Sequence, residues 1–145
     1  MKKTPWLAEM AAYLLALLFL YTALSKLFDF RHFIRAINNQ PFDNRYTPVL
    51  VVAIPLAEIL TGILLLVPKS RLAGFSLSSI LMLVFTMYVG LVTFHFYDRV
   101  PCGCAGVFQR MSWPEHLVFN VLFLLLSVLG LRIALFQNKT TLPLV

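Results

Sequence analysis

Cys102 and Cys104 are the two cysteines of this 145-residue chain, and a single glycine separates them in Pro101-Cys102-Gly103-Cys104-Ala105-Gly106. A disulfide needs its Cα atoms within about 7 Å. Residues two apart meet that distance only on a bent backbone, which Gly103 permits and Pro101 helps to set. A bridge this tight is expected to be strained, and strained, accessible disulfides exchange readily with other thiols. Arg99 and Arg110 flank the pair, and nearby cations favour the attacking thiolate. The chemistry these residues suit is thiol–disulfide exchange. Three plainer readings stand beside it. The pair could be an inert staple, although so small a loop removes little chain entropy. It could be half of a Cys2His2 site with His95 and His116, although the spacing matches no zinc pattern and no metal is assigned. Or the cysteines could be incidental.

Other polar residues bear on the same chemistry. His116 and Asn120 are four apart and share a helical face, which Ser127 continues. A histidine beside a thiol can take or give its proton; the alternative is a His that meets headgroups or the helix start. His95 is the second candidate. Glu58 lies amid apolar residues with Pro55, Thr61 and Gly62 on its face. A carboxylate in such a run should face inward with a partner or a proton, and Lys26 is the available partner. Glu58 would then be either a proton relay or a packing lock. Ser79, Thr86 and Thr93 recur every seven residues and should meet the His116–Ser127 stripe, since small polar residues bring membrane helices together. Ser112, two before Pro114, reads as a helix cap.

The elements that must position these residues follow from composition. The chain is 60% hydrophobic and 12% charged, with 13 Phe. A soluble domain carries about 25% charged residues, and a disordered chain is poor in hydrophobics. What remains is an integral membrane protein. The net charge of +6 forms no basic stripe and implies no nucleic acid. The cations sit in breaks between apolar runs, as interfacial anchors do. Four runs of about 20 residues fit the bilayer, roughly 6–27, 48–67, 73–96 and 113–136, predicting an all-α four-helix membrane bundle formed by one domain, 1–145. Met1-Lys2-Lys3 and Ala23-Leu24-Ser25 also fit a secretory signal, but the run is long and Lys26-Leu27-Phe28 continues its helical pattern. In the first loop Phe28, Phe30, Phe33, Ile34 and Ile37 alternate with Arg31, Arg35, Asn38 and Asn39. This predicts a short amphipathic interfacial helix, placed to cover the third loop. Phe94, Phe96, Tyr97, Phe108 and Trp113 would suit a quinone pocket, but read first as an interfacial aromatic belt. No cofactor is therefore assigned, and quinone stays open.

A family resemblance joins these motifs. Pro101-Cys102-Gly103-Cys104, then Ser112-Trp113, His116 and Asn120, resembles the MauE family, named for methylamine utilisation. Ala23-Leu24-Ser25-Lys26-Leu27-Phe28-Asp29-Phe30 and Pro55-Leu56-Ala57-Glu58 with Gly62 are similar to the related DoxX group. Ala105-Gly106 departs from the pattern, where members often carry an aromatic. The resemblance implies a redox-associated four-helix membrane protein, linked in MauE itself to disulfide formation in a periplasmic enzyme subunit. Cation counts do not settle the orientation. The resemblance implies an inner-membrane protein with the Cys-Gly-Cys loop outside and both termini in the cytoplasm. The expected partners, besides the bilayer, are an extracytoplasmic thioredoxin-like protein or a client. The alternative is an accessory subunit of a larger membrane complex whose Cys-Gly-Cys loop does not cycle.

Overall fold

The computed structural model describes residues 5–97 and 110–141. Among the described residues there are five α-helices: α1 (Pro5–Phe28), α2 (Phe30–Asn38), α3 (Thr47–Leu66), α4 (Arg71–Thr93) and α5 (Trp113–Thr141). Single 3-10 turns at Asn44–Tyr46 and Pro68–Ser70 lead into α3 and α4. Among the described residues no strand occurs. The helices α1, α3, α4 and α5 are long and apolar enough to cross a membrane, and they form an all-α bundle. α1 packs chiefly on α3 and α4 on α5, while α3–α4 and α1–α5 contacts close the ring.

The buried centre is built from small residues of α1, namely Ala11, Ala12 and Ala16, around Leu15, Phe19, Leu65, Phe75 and Met82. The outward faces remain apolar, with Leu17, Val49, Leu56, Ile80 and Leu125 exposed, as lipid-facing surfaces are. Two glycines allow the close approaches. A Cβ on Gly130 would sit 2.2 Å from the Phe75 ring, and one on Gly74 would meet the Leu65 backbone nitrogen at 2.8 Å. The α3–α4 pair is therefore pinched at its short turn.

Helix ends depart from the hydropathy pattern in instructive ways. The third apolar run was expected to stay helical to Phe96, yet α4 ends at Thr93. His95 takes φ 55°; its N–H donates to the Val92 carbonyl at 3.1 Å and that of Phe96 to Leu91 at 3.0 Å. This is a Schellman ending with a non-glycine residue in the left-handed position. α5 starts with a capping box: Glu115 N–H donates to Ser112 Oγ at 3.4 Å, and Ser112 N–H to Glu115 Oε2 at 2.8 Å. Ser112 was read as a cap; its reciprocal partner Glu115 was not. α2 is capped by Asp29, which accepts from His32 N–H at 3.2 Å.

Candidate functional site: an intramembrane cavity with a buried ion pair

Lys26 and Glu58 meet inside the bundle. Lys26 Nζ donates to Glu58 Oε1 at 2.8 Å and Oε2 at 3.1 Å, and to the Thr22 carbonyl at 3.3 Å. Glu58 is 3% exposed. The pair looks improbable from sequence depth alone. Glu58 is the twelfth residue of α3, about 16 Å along it at 1.5 Å per residue, whereas Lys26 is third from the end of α1. The contact forms because α1 ends well below the level at which α3 begins. α2 and residues 39–46 occupy the space above it. Phe33, Ala36 and Ile37 of α2 are buried, with Phe33 and Ile37 packed against Val51. The amphipathic helix thus lays its apolar face on protein and roofs the inner end of α1. Lys26 Nζ also stands 5.9 Å from the centre of the Phe33 ring.

Under this roof lies a cavity of about 270 Å³. Its walls are mostly apolar, from Leu18 and Phe19 of α1 to Phe85 of α4 and Phe119 of α5. Its polar lining comprises Thr22, Lys26, Gln40, Glu58, Tyr88, His116 and Asn120. Gln40 is clamped in place: its Nε2 donates to the Ala36 carbonyl at 2.8 Å, and its Oε1 accepts from the Tyr88 hydroxyl. His116 stacks on Trp113 with ring centroids 6.1 Å apart, one turn into α5, where the capping box fixes the helix start.

Four of the residues singled out from the sequence, Lys26, Glu58, His116 and Asn120, therefore line one cavity. His95 does not; it is exposed and belongs to the α4 ending. Arg110 is exposed. Cys102, Cys104 and Arg99 lie outside the described residues, and with them the question of a Cys2His2 site. Of the loop aromatics, Trp113 lines the cavity, Phe94 and Phe96 are exposed and Phe108 is outside the described residues. The aromatic grouping expected around the third loop is thus not what surrounds this space. Gln40 and Tyr88 were missed by sequence reasoning. A buried Gln in a loop carries no periodic signal, and Tyr88 read as one more aromatic of a span.

The polar stripes on α4 and α5 do meet. Ser79 Oγ donates to Ser127 Oγ at 3.3 Å, and Thr93 Oγ1 to the Trp113 carbonyl at 3.3 Å. The latter contact draws together the two ends of the loop that carries the cysteines. The third member, Thr86, has a buried hydroxyl without a hydrogen-bond partner among the described residues.

Four helices long and apolar enough to cross a bilayer, with a buried ion pair beside a polar-lined cavity, fit a multi-pass membrane protein. The family model described as methylamine utilisation protein MauE matches residues 4–133. The chain belongs to that family. No curated protein and no solved structure matches it.

Proposed function

We propose that this protein is a membrane thiol–disulfide redox protein. Cys102 and Cys104 cycle between dithiol and disulfide and exchange with an extracytoplasmic thioredoxin-like partner or a client protein. One thiolate attacks, and the other cysteine resolves the mixed disulfide. The observation that carries the reading is the Cys-Gly-Cys pair itself, the chain's only cysteines, on the loop whose ends are joined by the Thr93–Trp113 hydrogen bond. His116, one turn into α5, is the proposed proton carrier. Membership in a family described by methylamine utilisation supports a role in maturing an enzyme subunit of such a system. Arg99 and Arg110 are assigned to favouring the thiolate.

Trapping tests the reading. Of the Cys102→Ser and Cys104→Ser variants, the one that keeps the attacking cysteine should accumulate a mixed disulfide with a partner in cells, separable on a non-reducing gel. In a glutathione titration the purified protein should show a midpoint above about −300 mV, the range below which inert structural disulfides fall. A lower midpoint with no trapped partner would leave a non-cycling accessory subunit in its place.

A further inference from the structure

Phe33 and Ile37 of α2 cover one end of the cavity, which is open elsewhere. Val84 on α4 lines it and is 55% exposed, so the cavity reaches the outer surface of the bundle beside this residue. Leu50 and Ile54 of α3 line it too. α3 and α4 are held close at their short turn by Gly74, and these residues lie away from that turn along both helices. Both helices are long and apolar enough to cross the bilayer, so this opening faces lipid. A ligand entering there comes from the hydrocarbon phase.

The lining says what kind of head such a ligand carries. The Lys26 and Glu58 charges already neutralise each other, so an ionic head would have to break a buried pair, and a neutral one fits. The Asn120 amide lines the cavity on a residue only 6% exposed, and among the described residues no hydrogen bond engages it. An acceptor on a ligand in the cavity would give this amide a partner. Rings of Phe19, Phe33, Phe85, Trp113 and Phe119 form much of the remaining wall and suit a flat, offset-stacked guest. The volume of about 270 Å³ falls just below the range of about 300–1,000 Å³ usual for ligand sites. It holds a substituted six-membered ring, not a whole lipid.

A flat, neutral, ring-sized head with carbonyl acceptors and a tail left in the bilayer is a lipid-soluble quinone. We infer that this cavity binds the head group of such a quinone, entering between α3 and α4, with a carbonyl oxygen accepting from the Asn120 amide. Binding needs only the cavity. One consequence rests on the proposed thiol function: two S–H bonds of the reduced Cys102–Cys104 pair break, an S–S bond forms, and the two electrons and two protons convert the quinone to hydroquinone.

The test uses a short-chain benzoquinone, decylubiquinone, and the full protein in detergent. In a Trp6→Phe background Trp113 is the sole tryptophan, and its fluorescence should be quenched saturably. Asn120→Leu should weaken binding at least tenfold. Val84→Phe, a change at an exposed site that spares folding and adds no tryptophan, should slow or block binding while the melting temperature stays put. Quenching that is not saturable, that both variants leave unchanged, or that decanol displaces as well as the quinone does would overturn the inference. The Cys102→Ser, Cys104→Ser double variant separates the two readings: it should bind quinone as the parent does. Reduced parent protein should lose its thiols as hydroquinone absorbance appears. Saturable binding without that reaction leaves the site standing and overturns the transfer from the Cys102–Cys104 pair to quinone, while partner trapping tests the thiol function separately.

Discussion

At the residue scale the controlling feature is a charge pair that neither partner can leave cheaply. Removing one member of a buried pair strands the other, at a cost of about 3–5 kcal/mol. Glu58→Leu should therefore lower the unfolding free energy in detergent by roughly that amount. Adding Lys26→Met should recover most of it, because an apolar pair of similar volume avoids desolvating two charges. Equal destabilisation in the single and double variants would show that the pair contributes nothing beyond packing. Glu58→Gln discriminates the two roles weighed for this carboxyl. Both carboxylate oxygens accept from Lys26, which favours a lock. The expected outcome is a loss of about 2 kcal/mol, the order of a charge-assisted hydrogen bond, with thiol exchange unchanged. Normal stability with exchange abolished would make it a proton relay instead.

At the element scale the informative residues are at helix ends. His95 occupies a left-handed position that costs a non-glycine residue about 1–2 kcal/mol. His95→Gly should raise stability by about 1 kcal/mol in a thermal melt. The same variant separates structure from chemistry. If His95 serves the thiols, exchange slows while the melting temperature rises; if it is only the α4 ending, exchange is unaffected. On α5, Ser112→Ala removes the cap on the Glu115 N–H and should cost about 1 kcal/mol. That change should also loosen His116, one turn further on, and so slow any reaction His116 assists.

For the whole molecule, the packing of four apolar helices depends on where side chains are missing. Gly130→Val would drive a branched side chain into the Phe75 ring and should prevent normal accumulation. Phe75→Ala in the same chain should restore part of it by opening space. The proposed topology has its own measurement. A membrane-impermeant maleimide, applied to intact cells after mild reduction, should label Cys102 and Cys104. Labelling only after permeabilisation would invert the proposed orientation.

Hydropathy and residue type were enough for the elements. Runs of about 20 apolar residues must be helices in lipid, because no water is there to satisfy the backbone. The heptad spacing of Ser79, Thr86 and Thr93 was enough to pair α4 with α5, and the phase of Pro55, Glu58, Thr61 and Gly62 to name the inner face of α3, where all four are buried. The amphipathic alternation in the first loop identified α2. What periodicity could not supply was depth. Whether Lys26 reaches Glu58 depends on how far α1 stops short of the start of α3, a length set by α2 folding over its end rather than by any local pattern. The cavity follows from the same fact. It is lined by residues of all five helices, and a loop glutamine and a span tyrosine, Gln40 and Tyr88, close on each other there across 48 residues of chain. Such spaces are differences between packed surfaces, and only the tertiary arrangement of the helices decides where one is left.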